Sequence, residues 1–338
     1  MQTIVLDRPG ALRLADTPAP AAPGPGEALL RIHRVGICGT DLHAFEGTQP
    51  FFSYPRVLGH ELGAEVLALG PGEAPIAVGD RCTVEPYLSC GRCGACQRGK
   101  TNCCEQLRVL GVHVDGGMRE LICVPTAKLH RSAALSFEQL ALVEPLCIGA
   151  HAVRRAQPAA GEPALVIGAG PIGLAVMLAA RLAGARVIAL ELSAPRLEFA
   201  QRHLGAEPLP GTGDVPARLR ELLGGDLPTL VFDATGSARS MMAAPQYLAN
   251  GGTLVFVGLV QGALSFDDPE LHRREVTLLR SRNATAADFG WVMGQIEAGR
   301  VSLEPWITHR AAPAALVAEF DGWRDPAAGV VKAMLELA

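Results

Sequence analysis

Between residues 163 and 191 the chain reads as a short apolar strand, a glycine loop, an apolar helix and a second apolar strand that ends on an acid. The loop is G-A-G-P-I-G, with Gly168, Gly170 and Gly173 in the order G-x-G-x-x-G and Pro171 and Ile172 between the last two. The first glycine permits a tight turn out of the strand and the second lets backbone approach a pyrophosphate. The third lets helix pack on strand, and the helix N-terminus faces the anion. Pro171 suits the first turn of that helix. Glu191 lies 23 residues beyond Gly168, where an acid hydrogen-bonds the ribose hydroxyls of a dinucleotide. A glycine-rich turn alone would carry little weight, but strand, loop, helix, strand and acid in this order read as a dinucleotide site. A carboxylate at Glu191 accepts from the free ribose of NAD and repels the 2′-phosphate of NADP, so NAD is expected. Arg196 is the opposing signal, since an Arg near this strand end can hold a 2′-phosphate. Its other readings are a solvated helix residue or a lid over the adenine.

The same alternation continues through A-P-R-L-E-F-A-Q-R-H-L-G, T-L-V-F-D-A-T-G and T-L-V-F-V-G-L. Strands alternating with helices of this length predict a doubly wound parallel sheet, and apolar runs without polar alternation predict strands covered on both faces. Before residue 148 the texture differs: short β-type runs at 28–35, 64–69, 81–85 and 121–124 are broken by Gly, Pro and Asp. A chain of 338 residues exceeds one ordinary core and falls short of three. The expected fold class is therefore α/β, with a β-rich domain over 1–148, completed by 285–338, and a nucleotide domain over 149–284.

Net charge is −4 and no block of like charges occurs, which argues against a nucleic-acid surface and favours a small ligand. The opening M-Q-T-I-V-L-D-R-P-G reads as a strand and turn with no apolar h-region, and no apolar run reaches membrane-spanning length. A soluble cytoplasmic protein with no membrane partner is expected. Nine cysteines in so long a chain without an export signal point to metal rather than disulfides.

Cys90, Cys93, Cys96 and Cys104 stand at C-x2-C-x2-C-x7-C. Short glycine-containing spacings let one loop wrap a tetrahedral Zn2+, and four sulfurs close the site, making it structural. Cys103 is an alternative to Cys104. A redox pair or an iron–sulfur site would use the same residue type, but no helix start of the thioredoxin kind follows. A zinc knuckle for nucleic acid would need a basic stripe. Cys38, His60, Glu61 and Glu144 are a second, scattered set of metal-ligand types, and spacing alone does not bring them together. The stretch H-E-L-G-A is not a protease motif, because position 64 is Ala.

The series G-I-C-G-T-D-L-H, G-H-E, the four-cysteine loop, E-P and G-A-G-P-I-G resembles the zinc-dependent medium-chain dehydrogenases, in particular the sorbitol and threonine dehydrogenase branch, over nearly the whole chain. The resemblance implies a GroES-like catalytic domain plus a Rossmann domain, and two zinc ions per chain with NAD. It implies that Cys38, His60 and Glu144 ligate the catalytic zinc and that Glu61 serves as ligand while water or substrate exchanges. It also implies a proton relay in which Thr40 touches the reacting hydroxyl and His43 passes the proton towards solvent. Cys104 rather than Cys103 follows from the family's spacing. Ala64 after Gly63 departs from the family pattern and leaves the local backbone shape open. By fold analogy, Asp233 to Gly236 with Thr235, Val257 to Leu259 with Gly258, and Ser281 to Asn283 line the cofactor cleft.

Finer similarity lies in G-T-Q-P-F-F-S-Y-P-R-V-L-G-H-E, G-V-H-V-D-G-G and S-R-N-A-T-A-A-D-F, which resemble bacterial L-galactonate 5-dehydrogenase-like enzymes. This implies oxidation of a secondary hydroxyl of a sugar acid or polyol to a ketone, with sorbitol, threonine or butanediol as alternative substrates on one scaffold. Phe51, Phe52, Tyr54 and His113 then line the pocket or, equally, pack a loop. The family forms dimers or tetramers, so a homotetramer is expected, with T-L-V-F-V-G-L as the strand pairing across subunits. Two rivals are a relative without catalytic zinc, which would lack Cys38, His60 and Glu144 together, and a non-catalytic NAD-binding zinc protein.

Overall fold

The computed structural model describes residues 1–50 and 52–337. It separates into two compact units, Met1–Glu144 with Thr285–Ala338, and Pro145–Ala284. Phe51 lies outside the described residues.

The first unit is built on a sheet in the order Leu129–Arg131, Arg81–Val84, Glu61–Leu69, Glu27–Gly36, Lys332–Glu336 and Ile307–Ala311, with Leu121–Pro125 also pairing Glu27–Gly36. The long strand Glu27–Gly36 alternates, burying Ala28, Leu30 and Ile32 while Arg31 faces water, as a sheet with one face in a core requires. Its partner Glu61–Leu69 runs antiparallel, with Gly36 opposite Glu61. The register shifts between Ile32 and Arg34, and this bulge lies opposite Ala64 and Gly63. Ala64 is fully buried beside this bulge, opposite Ile32 and Cys82. The departure from the family pattern at Ala64 thus sits at a locally irregular pairing, and the requirement for glycine falls on Gly63. A Cβ there would stand 2.0 Å from the Phe137 carbonyl oxygen. The last strand, Lys332–Glu336, pairs with Glu27–Gly36 on one side and Ile307–Ala311 on the other. Residues from the end of the chain thereby complete the sheet begun by its first third.

The second unit is a six-stranded sheet in the order Glu207–Pro210, Arg186–Glu191, Pro163–Ile167, Leu230–Asp233, Thr253–Phe256 and Thr277–Arg280. Every pairing is parallel. Numbered within the unit this is 3-2-1-4-5-6, with a reversal of strand order between Pro163–Ile167 and Leu230–Asp233, the place where such sheets bind ligands. Leu165, Val166, Ile188, Ala189, Val231, Phe232, Leu254 and Val255 are essentially inaccessible, the pattern of strands covered on both faces. One expectation is overturned: the strand Thr253–Phe256 of T-L-V-F-V-G-L is hydrogen-bonded on both sides and offers no free edge for a partner. The edges are Glu207–Pro210 and Thr277–Arg280, and on the latter Thr277, Leu278 and Arg280 are exposed.

Replacing Gly63 by Ala drives a methyl into backbone rather than into a yielding side chain, so Gly63→Ala is expected to destabilise the first unit by about 2 kcal/mol. Scanning calorimetry should show its midpoint fall by roughly 4–8 °C; an unchanged midpoint would mean that the helix at Phe137 shifts without cost.

Candidate active site

Cys38 ends the strand-to-helix turn before Gly39–Glu46 and occupies the helix N-cap. Three residues on, Asp41 forms the capping-box partner: its Oδ2 accepts from the Cys38 backbone N–H at 2.9 Å and its Oδ1 from the Gly59 N–H at 3.4 Å. One carboxylate thus ties the turn carrying Cys38 to the turn carrying His60. The His60 Nδ1 lies 4.0 Å from Asp41 Oδ1 and has no hydrogen-bond partner among the described residues. The Cys38 sulfur, a His60 ring nitrogen and a Glu61 oxygen lie within 4.8 Å of one another.

Glu61 is wholly inaccessible, and both its oxygens accept from the ammonium of Lys332, at 2.7 and 2.8 Å, which also donates to the Ile37 carbonyl at 3.0 Å. Gly36 opposite makes room for this carboxylate, since a Cβ there would lie 2.1 Å from Glu61 Oε2. Glu144 is buried in the helix Phe137–Ala156, and its Oε1 accepts from the hydroxyl of buried Tyr87. Its oxygens stand outside the three-donor group, although its charge is felt by His60.

Burial lowers the proton affinity of His60, but the Cys38 sulfur, Asp41 and Glu144 together raise it well above the ordinary histidine value. Burial raises Glu144, and Glu61 adds to the effect; burial likewise raises Asp41. Lys332 is raised despite burial, chiefly by Glu61 and Cys38. The rises at His60 and Lys332, achieved against burial, reflect neighbouring acidic groups, and a thiol, an imidazole and a carboxylate are a donor set that fits zinc. The buried His60 Nδ1, unpartnered among the described residues, is a polar atom that fits a site built for a ligand.

Thr40 and His43 lie one turn apart on Gly39–Glu46, Thr40 half-buried and His43 exposed. His43 Nδ1 is 3.3 Å from Glu46 Oε2, and Arg324 pairs with the same Glu46. Phe52 packs edge-on to Tyr54 at 4.8 Å. The Tyr54 hydroxyl donates to the Ala44 carbonyl at 2.5 Å and His113 Nδ1 accepts from the Val109 N–H at 3.1 Å. These polar atoms are therefore engaged with backbone, which supports the loop-packing role.

The sulfurs of Cys90, Cys93, Cys96 and Cys104 also converge within 4.8 Å. Cys104 is buried among them whereas Cys103 is exposed, so the geometry selects Cys104 for the cluster. Backbone N–H groups of Cys90 and Gln106 donate to the Cys104 sulfur at 3.2 and 3.3 Å. Backbone donors near Cys96 and Glu105 hold the Cys93 thiol down to about 6, while burial and the neighbouring sulfurs push Cys96 up to about 12. No disulfide forms among the described cysteines.

In the second unit the three loop glycines have distinct reasons. Gly168 sits at φ 93°, in the left-handed region. A Cβ on Gly173 would meet the Gly168 carbonyl oxygen at 1.8 Å, whereas one on Gly170 would meet nothing within 4 Å. Gly170 is the N-cap of Pro171–Leu182 and supplies no side-chain cap, leaving the first-turn N–H groups of Ile172 and Gly173 to an outside acceptor. Glu191 braces the loop: its oxygens accept from the N–H groups of Ala169 at 2.7 Å, Leu192 at 2.7 Å and Ser193 at 3.0 Å. Arg196 is exposed. Asp233, fully buried, accepts from the Thr235 N–H and hydroxyl, and its carbonyl from the N–H groups of Val257 and Gly258. Asn283 takes φ 51°, and its Nδ2 and the Ser281 hydroxyl are buried without partners among the described residues. Such atoms at the strand ends fit a polar ligand laid across this edge.

Sequence reasoning missed Asp41, Tyr87 and Lys332. Asp41 was legible as the fourth residue of C-G-T-D, a capping-box spacing. Lys332 was legible as a charge inside the apolar run V-V-K-A-M-L. Tyr87 carries no such signal.

Residues 24–134 match the family model of the alcohol dehydrogenase GroES-like domain and residues 171–298 that of the zinc-binding dehydrogenases. The chain is 46% identical to the L-galactonate-5-dehydrogenase of Escherichia coli, over 88% of its own length and 87% of the relative's. It is 34% identical to the 2-dehydro-3-deoxy-L-galactonate 5-dehydrogenase of Pseudoalteromonas atlantica, over 85% of each. A crystal structure described as a short chain alcohol dehydrogenase from Escherichia coli, complexed with NADH, superposes with a TM-score of 0.92 at 28% identity, covering 100% of this chain and 99% of that one.

Elemental analysis of the purified protein is expected to find about two zinc ions per chain, reflecting the two donor groups. Cys38→Ser should lose one with the fold intact, Cys104→Ser should lose one together with thermal stability, and Cys103→Ser should lose none. Unfolding of Cys38→Ser would overturn the assignment of that site as open rather than structural.

Proposed function

The chain belongs to the zinc-binding alcohol dehydrogenases, and from that premise we propose that it oxidises a secondary hydroxyl of a sugar acid, of the L-galactonate kind, to a ketone with NAD. The likeness to two galactonate 5-dehydrogenases is the observation that carries the substrate class. A polyol is the second reading, since curated relatives also include an L-arabinitol 4-dehydrogenase.

In this reading Cys38 and His60 hold the catalytic zinc, with Glu61 and Glu144 as the two carboxylates able to complete its shell, and Cys90, Cys93, Cys96 and Cys104 hold the structural ion. When bound, zinc supplies a Lewis acid that weakens the substrate's O–H, and NAD supplies the hydride acceptor. Thr40 accepts the hydroxyl proton as its own hydroxyl proton moves to His43. Glu46 beside His43 Nδ1 favours the tautomer with its proton there, leaving Nε2 to accept; exposure of the ring lets the proton leave to water. Asp41 ties the turn of Cys38 to that of His60, and Lys332 balances the charge of Glu61.

Residues 145–284 bind the dinucleotide. Gly170, for which the protein itself demands no glycine, is explained by close approach of a pyrophosphate to the helix N-terminus. Glu191 selects the free ribose, and Thr235, Val257, Gly258 and Asn283 line the remainder of the site. Arg196, exposed on its helix, would either cover the adenine or stay solvated. The protein works in the cytoplasm, where reduced thiols persist, as a homotetramer or homodimer assembled through the exposed edge Thr277–Arg280. No helix among the described residues is long and apolar enough to cross a membrane.

The test is NADH formation by the purified zinc-loaded protein with L-galactonate, other aldonates, sorbitol, L-threonine and butanediol. Selective turnover of an aldonate is expected; preference for sorbitol, threonine or the diol would discard the sugar-acid substrate, and NAD binding without turnover of any would favour a sensor. Glu191→Gln should narrow the preference for NAD over NADP about tenfold, the equivalent of roughly 1.4 kcal/mol. An unchanged ratio would remove the role given to Glu191.

A further inference from the structure

The two carboxylates beside Cys38 and His60 are held by different chemistry. Both oxygens of Glu61 are engaged by one ammonium, that of Lys332. Glu144 has a neutral holder, the Tyr87 hydroxyl, which binds one oxygen, Oε1. Tyr87 is 2% exposed and Glu144 4% exposed, so bulk water does not supply a replacement donor. Tyr87 sits on the short strand Tyr87–Leu88, fixed by antiparallel pairing with Arg108–Val109, on the chain segment that leads into the four-cysteine loop. Its position is therefore set by elements outside the three-donor group.

An ammonium in direct contact cancels most of the charge of Glu61, whereas Glu144 meets Lys332 and His60 only through space and its contact partner is a neutral phenol. A dication placed between Cys38 and His60 thus attracts Glu144 strongly, and the hydrogen bond from Tyr87 is the restraint against it. We propose that Tyr87 is a positioning residue of the active site: it holds Oε1 of Glu144 and so limits this carboxylate to at most one oxygen on the metal, leaving a position open for the substrate hydroxyl. The inference rests on reading Cys38 and His60 as the zinc site.

Removing the hydroxyl in Tyr87→Phe keeps the ring and its packing but leaves a buried anionic oxygen without its donor, a state that is costly unless another partner is found. The metal is that partner, so Glu144 closes on it with both oxygens. Three readouts follow. With cobalt(II) in the catalytic site, the visible bands of Tyr87→Phe weaken and move to shorter wavelength as coordination number rises. Release of the catalytic zinc to a chromogenic chelator slows about tenfold, and KM for the alcohol rises about tenfold while kcat changes less than about threefold, because substrate must displace a ligand.

In a Glu144→Gln background all three effects of Tyr87→Phe should vanish. No change on Tyr87→Phe in the wild-type background, or the same changes when Glu144 is already replaced by Gln, would overturn the proposal. Placing 3-fluorotyrosine at position 87, a stronger donor of nearly the same shape, should act in the opposite direction and speed zinc release; this arm decides if Tyr87→Phe fails to accumulate, and an unchanged rate would sink the idea. A wild-type protein holding only the structural ion would instead refute the zinc-site reading beneath it.

Discussion

The first unit is organised around a group of buried acidic and metal-ligand side chains, each of which needs a hydrogen-bonding or ionic partner in place of water. Cys38, Asp41, Glu61 and Glu144 are gathered with His60 in a region where Asp41 and Glu61 have no solvent exposure at all. Desolvating one carboxylate costs several kcal/mol after relaxation, so each member needs a dedicated partner. Asp41 has two backbone N–H groups, Glu61 has Lys332, and Glu144 has Tyr87. Lys332 comes from the strand that closes the chain. The return of residues 285–338 to the first unit is therefore an electrostatic requirement of the site as well as a structural closure of the sheet.

The second unit solves a different problem with backbone rather than charge. A parallel sheet buried on both faces leaves its strand ends as the place where polar groups meet solvent. There Gly168 turns the chain, Gly173 lets the helix approach the loop, and Glu191 ties the loop to the neighbouring strand through Ala169. Asp233 does the same for the next two strand ends, fixing Thr235 with its carboxylate and Val257 with its carbonyl. The Ser281 hydroxyl and Asn283 Nδ2, unpaired among the described residues, are left at the end of the series. The rigid sheet thus holds ready a row of groups that a dinucleotide can satisfy.

Legibility varied with the range of the interaction. The four-cysteine loop and the glycine loop are local, so spacing reveals them. The residues alone left Cys103 and Cys104 open, and only the family resemblance favoured Cys104; burial separates them in the fold. The edge strand was misread because T-L-V-F-V-G-L is the most apolar run of its region. Strong apolarity marks an interior strand, whereas Thr277–Arg280, one of the two edges, carries exposed polar residues, as edges do.

From its residues alone the chain determined its two textures, its glycine loop with the acid after the second strand, and its cysteine cluster, because all of these arise from periodicity and short spacing, which act within one element or one turn. Tertiary structure decided what those elements meet: Glu61 with Lys332, 271 positions apart, Glu144 with Tyr87, 57 apart, and Asp41 between the turns of Cys38 and His60. Such pairings depend on sheet order and register, and a one-residue slip in register turns a side chain to the opposite face. No local signal encodes these pairings, which is why the sequence could show the donor types, and mark Asp41 and Lys332 as unusual positions, without showing which residue holds which.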